Sequence, residues 1–189
     1  FNQVVTDAFI HVDKVVAETC EDNAQWNVFM VGLVAEALMQ LYDYNGDVNV
    51  PIKLKALADK LRARYWIAAS NTWVYNHQQA LTPANGALDL NLLIVPFYCF
   101  VAEQENDQQY ITWGDEAFGA GAVGAIFSTG KQFNQNYLRS FDYVACRENW
   151  NLTCAPGGGT PTPTPVVTPP PACTPGYGEQ DSNSGLGGT

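Results

Sequence analysis

The chain has 189 residues, with 9 Lys and Arg against 19 Asp and Glu, a net charge of −10 at pH 7. That balance leaves no basic stripe to neutralise phosphates, which argues against nucleic acid or an anionic membrane as the main partner. The longest wholly apolar run, Leu92 to Ala102, covers 11 residues and falls short of a membrane span.

Periodicity of 3.6 predicts six helices and little strand, an all-α fold. They fall near 2–20, 24–45, 51–66, 89–106, 109–127 and 131–149. The second is apolar nearly all round in its first three turns, and the fourth on every face, so both are expected to be buried on more than one side. The third carries a stripe of Ile52, Leu57, Leu61 and Tyr65, with Lys53, Lys55, Asp59, Lys60, Arg62 and Arg64 opposite. It is expected to lie against solvent. Asp22 with Gln25, and Thr129 with Gln132, fit capping boxes, and Pro51 suits a first turn. Pro96 falls inside the fourth helix, where a kink is expected. In the sixth, Phe133, Tyr137, Phe141 and Val144 recur at helical spacing and read as core.

After this body the composition changes. Residues 155–189 hold 8 of the 11 prolines, 8 of the 16 glycines and no basic residue. The domain division is therefore 1–154 for the helical body and 155–189 for a Thr-Pro and Gly-rich linker or tail. Alternating Thr-Pro favours an extended spacer, typical of secreted multidomain proteins, so an extracellular location is expected. The five cysteines contain no C-x-x-C pair and the only histidines are His11 and His77, so neither a metal site nor a cofactor is expected. Cys99 reads as a buried small hydrophobe. Cys146 and Cys154 are near enough in sequence for a local disulfide across a predicted helix end, and the odd total leaves at least one thiol unpaired or intermolecular. Asn151-Leu-Thr153 is a glycosylation sequon.

A repeat of about 60 residues joins the helices in pairs. Leu41-Tyr-Asp-Tyr-Asn-Gly-Asp47 links an inner apolar helix to an outer one, and Val101-Ala-Glu-Gln-Glu-Asn-Asp107 does the same. Asp43-x-Asn45-x-Asp47-x-Asn49 has the alternating oxygens of a calcium loop, but Val48 replaces its glycine and Leu54 its bidentate acid. A polar turn is the better reading. The turns near 45–50 and 105–109 then share one end of the hairpins, and the connections at 20–24, 66–88 and 127–131 share the other.

Alternating inner and outer helices at this spacing resemble the (α/α) toroids of six-hairpin glycosidase-like proteins. The strings from Phe29 to Asp47, Trp113-Gly-Asp115, Lys131 to Tyr137 and Ser140-Phe-Asp-Tyr143 are similar as well. The resemblance covers about residues 1–150. It implies a secreted, carbohydrate-active protein, a glycoside hydrolase or polysaccharide lyase, with its cleft at the loop-rich end. Six hairpins would need about 360 residues at this period, so the body is expected to be the C-terminal part of a toroid completed upstream of Phe1. The alternative is a non-catalytic helical-repeat module that binds glycan or protein.

Sugar recognition needs flat rings for C–H faces and amides or carboxylates for hydroxyls. The loop-rich end offers Asn23 and Trp26, then Trp73, Tyr75, Asn76 and His77, and at the sixth helix Lys131, Gln132, Asn134, Gln135 and Tyr137. Asp22 and Asp89 are the loop-end candidates for the two carboxylates of a glycosidase, with Asp142 a third if the sixth helix is inner. A lyase would instead draw a base and a charge neutraliser from Tyr75, His77 and Lys131. Each has a plainer reading. Asp22 and Asp89 sit where N-caps are wanted, Trp26 and Trp113 suit core anchors, His77 suits a solvated loop, and Asp142 suits an ion pair with Arg139.

Overall fold

Six helices form among the described residues: α1 (Asn2–Ala17), α2 (Val28–Asn45), α3 (Asn49–Tyr65), α4 (Asn91–Glu105), α5 (Gln108–Gly124) and α6 (Gly130–Thr153). The computed structural model describes residues 2–18, 26–124 and 130–153, and the side chains of 3–18, 26–124 and 138–150. All lie in one unit, Phe1–Gly159; a second unit, Thr160–Thr189, lies outside the described residues. Two short antiparallel strands, β1 (Trp66–Ile67) and β2 (Thr72–Trp73), pair Trp66 with Trp73 and Ile67 with Thr72. The fold is all-α.

The apolar run dictates the centre. Nearly every residue from Asn91 to Ala102 is buried, and α4 packs against α2, α3, α5 and α6. Burying a large apolar side chain contributes about 1.5–3 kcal/mol, so this helix carries a large share of the core. The helix continues through Pro96 from Asn91 to Glu105. The ring removes one N–H from the ladder without ending it. Close approach of α2 to α4 depends on Gly32: a Cβ there would stand 2.7 Å from the Leu93 carbonyl oxygen and 3.2 Å from Ile94 Cα.

The two interhelical turns are built alike. Gly46 and Asn106 end α2 and α4 in the left-handed region, φ 68° and 51°, and their N–H groups donate to Tyr42 O and Ala102 O. The next residue is an aspartate whose Oδ1 accepts from the N–H two residues on, Asn49 for Asp47 (3.0 Å) and Gln109 for Asp107 (2.8 Å). This Asx geometry opens the following helix. Asp47 Oδ1 also accepts from Asn49 Nδ2, and Asn45 Oδ1 from Asp47 N–H, so those side chains serve a polar turn. The 60-residue repeat is thus a repeat of turn chemistry.

Several sequence expectations need correction. Ile52 is 66% exposed, while Val50, Leu54, Leu57, Ala58, Leu61 and Tyr65 face inward. Ile52 is two residues, about 200°, from Val50 on a 3.6-residue turn, so it cannot share that stripe. α2 buries one face only, leaving Met30 and Leu33 exposed. It also starts at Val28, because Asn27 is held extended by bridging Asn76. In α6, Tyr143 and Trp150 are buried, whereas Phe141 and Val144 face outward. The Phe133 and Tyr137 side chains lie outside the described set, as do both capping boxes.

The cysteine reading changes most. Cys99 bonds Cys146, Cα atoms 6.2 Å apart, and staples α4 to α6 across 47 residues. This corrects the expected pairing of Cys146 with Cys154: Cys146 is already bonded to Cys99, which the packing of α4 on α6 places beside it.

Candidate functional site

The loop from Trp66 to Leu90 is a folded element. Val74 N–H donates to Tyr65 O, Ala87 N–H to Trp73 O, and Tyr75 N–H to Asn85 O. Asn91 anchors it from below: its Nδ2 donates to Asn71 O and Ala117 O, both at 2.9 Å, and its Oδ1 accepts from Thr72 Oγ1 at 2.7 Å. The loop's far side is tied to α2, where Val28 N–H donates to Tyr75 O at 3.0 Å. The start of α2 and the long loop therefore share one end of the bundle. The 20–24 and 127–131 connections, apart from Gly130 and Lys131, lie outside the described residues.

Between this loop, the end of α1 and the end of α3 lies a polar cleft of about 370 Å³. Glu18, Trp26, Arg64, Tyr65, His77 and Gln78 are among its walls. Trp26 and His77 stack with centroids 4.8 Å apart and planes 6° from parallel, and Tyr65 meets Trp26 edge-on at 5.2 Å. His77 Nδ1 lies 3.2 Å from Trp26 N and 3.1 Å from Trp26 O. The backbone thus orients the imidazole, and among the described residues no hydrogen bond reaches its Nε2. Glu18, in the left-handed region at φ 56°, accepts from Lys60 Nζ (3.1 Å) and forms an ion pair with Arg64 Nε (3.2 Å). The Lys60 hydrogen bond, with the charges of Lys60 and Arg64, holds the Glu18 carboxyl below its usual range. Among the described residues the Arg64 Nη groups make no hydrogen bond.

The predicted site residues divide. Trp26 and His77 lie in the cleft. Tyr75 is exposed beside it, tilted against Phe29 at 5.7 Å. Asn76 is buried; its backbone N–H bonds Gln79 Oε1 and its Oδ1 accepts from Gln78 N–H, which shapes the 76–79 turn. Trp73 is 1% exposed and packs on Trp66 and Tyr98, so it is a core ring with no face to offer a sugar. Asp89 sits in the short 3-10 turn Leu88–Leu90, where the α4 cap position falls on Leu90 instead. Asp22 and Asn23, and the side chains of Lys131, Gln132, Asn134, Gln135 and Tyr137, lie outside the described residues. Trp113 meets Tyr98 and Tyr110 edge-on and helps enclose Arg62, the core-anchor role.

Asp142 lies elsewhere. It bonds Arg139 at 3.0 Å, and Arg139 also pairs closely with Glu36. This triad edges a second hollow of about 270 Å³ between α2, α4 and α6, with Asp43, Met39 and Phe97. A third hollow, about 400 Å³ between α1 and α2, is lined by Val4, Val5, Ala8, Leu38, Leu41 and Tyr44 among others, and is mainly apolar.

Sequence reasoning missed Glu18, Arg64 and Tyr65. Lys60 and Arg64, four apart, share a helix face and signal a place for one acid between them. Only folding shows that the acid is Glu18. Compared with known proteins, the chain matches no family model, no curated protein and no solved structure.

Proposed function

We propose that the helical body is the glycan-binding part of a secreted carbohydrate-active protein, with the Trp26–His77 cleft as its sugar site. One observation carries this reading: a stacked aromatic pair stands beside an arginine whose Nη groups meet no acceptor among the described residues. Stacked rings take the C–H face of a pyranose, while Arg64, Gln78 and His77 Nε2 offer hydrogen bonds to its hydroxyls. Glu18 is the one carboxylate in the described lining, and two cations already hold it. Hydrolysis uses two carboxylates, so binding is the chemistry this cleft supports best. Repetition of the turn at Asp47 and Asp107 supports a hairpin array. The apolar hollow between α1 and α2 fits further hairpins of a toroid packing there.

Titration of the full chain with neutral oligosaccharides, followed by Trp fluorescence and calorimetry, tests the proposal. Binding is expected, with His77→Ala and Arg64→Ala each weakening it about tenfold, the size of one lost hydrogen bond to a charged group or one lost ring contact. Binding untouched by either substitution refutes the site. A hydrolytic reading has one observation in its favour, the convergence of Glu36 and Asp142 on Arg139 within one hollow. It requires release of reducing ends that Glu36→Gln and Asp142→Asn each abolish.

A further inference from the structure

We propose that reduction of the Cys99–Cys146 disulfide creates a binding site for a thiophilic divalent cation, with the two sulfurs and the Glu103 carboxylate as ligands. Cys99 and Glu103 are four residues apart on α4, so their side chains stand one above the other on a single face. Cys146 reaches the same point from α6. The donor atoms of all three lie within 4.8 Å of one another.

Bond lengths of about 2.3 Å to sulfur and 2.0–2.2 Å to oxygen put tetrahedral ligands about 3.5–3.8 Å apart. The carboxylate lies within 4.8 Å of both sulfurs, close enough for a side-chain rotation to bring it to that distance, and the freed sulfurs must move apart, which rotation of two cysteine side chains provides. Thiolates select soft or borderline cations, and a carboxylate completes a three-ligand set that zinc and cadmium accept. Burial is graded across the site: Cys99 is enclosed, Cys146 half-buried and Glu103 at the surface. An ion would therefore be held from inside and keep one position open to water, the pattern of an open zinc site. While the disulfide is intact neither sulfur can serve, so the site belongs to the reduced chain alone. The sequence hides it, because a separation of 47 positions between the cysteines matches no metal-ligand spacing. The proposal is independent of the glycan cleft, which is built from other helices.

The chemistry balances in two steps. A phosphine reductant attacks the disulfide, takes an oxygen atom from water to become the phosphine oxide, and leaves two thiols carrying that water's two hydrogens. The cation then replaces both thiol protons, which pass to buffer, so affinity rises with pH.

The test uses the full chain carrying Cys20→Ser, Cys154→Ser and Cys173→Ser, reduced with a phosphine and titrated with cadmium chloride. The expected result is one cadmium per chain, an ultraviolet thiolate-to-metal charge-transfer band, release of two protons, and unchanged far-ultraviolet circular dichroism. Glu103→Gln should weaken binding at least tenfold, while the oxidised chain shows no band. No band from the reduced, helical chain overturns the proposal. So does a Glu103→Gln affinity equal to that of the parent. Should reduction itself melt the helices, cadmium must restore them; binding by a chain that stays unfolded also overturns it.

Discussion

Asn91 is the side chain on which the long loop depends, and Asn91→Ala tests that directly. Asn91 is 1% exposed. The substitution removes three hydrogen bonds at once, to Asn71 O, Ala117 O and Thr72 Oγ1. A net hydrogen bond is worth about 1 kcal/mol, and a buried group left unpaired costs about 1–3 kcal/mol. Thr72 is buried too, but its hydroxyl also reaches Trp73 O at 3.3 Å, which softens one of the three losses. The sum is about 3 kcal/mol. For a body of this size, 1 kcal/mol moves the melting temperature by about 2–4 °C, so a fall of about 6–12 °C is expected. Urea denaturation followed by circular dichroism measures the same quantity, with the midpoint lowered and the slope unchanged. A loss below about 1 kcal/mol would refute the reasoning and place the loop's anchor in its backbone ladder.

Three further predictions rest on other parts of the fold. Gly32→Ala should cost about 1–3 kcal/mol or more, because its Cβ meets the Leu93 carbonyl, which cannot swing aside. Gly119→Ala, with nothing within 4 Å, should instead stabilise α5 by about 0.5–1 kcal/mol; thermal melts of the pair must move in opposite directions. Replacing both Cys99 and Cys146 by Ala should lower stability by up to about 4 kcal/mol, the chain-entropy value for a loop of 47 residues, read by urea denaturation. His11 is half-buried, and burial, with a smaller contribution from Lys14, lowers its pKa below the usual value of 6.5. The unfolded chain then binds the extra proton first. The His11 contribution is therefore fully present above pH 6.5 and is lost progressively as pH falls from there to the lowered value. A His11→Asn chain should lose that part of the slope in a pH series of melts, and an unchanged slope counts against the burial argument.

Helix positions were legible in the sequence because they are local. The apolar run from Leu92 to Ala102 spans less than the length of one helix, and the Gly46-Asp47 and Asn106-Asp107 turns set their own geometry through bonds two to five residues long. Phase was legible where an element was strongly patterned and failed where it was not. Ile52 was grouped with Leu57, Leu61 and Tyr65, but it stands about 200° from Val50 and Leu54 on the 3.6-residue turn and so faces solvent.

What tertiary structure decided involves residues far apart in sequence. Trp73 and His77 lie four apart on one aromatic loop, and composition treats them alike. Pairing of β2 with β1 drives Trp73 into the core, whereas the Trp26 backbone holds His77 at the cleft wall. Cys99 finds Cys146 because α4 and α6 lie side by side, and Glu18 finds Arg64 because α1 ends beside the end of α3. A helix is specified by neighbours within a few residues, through its hydrogen bonds and its 3.6 period. A site is specified by which helices pack together, and that depends on burial summed over the whole core.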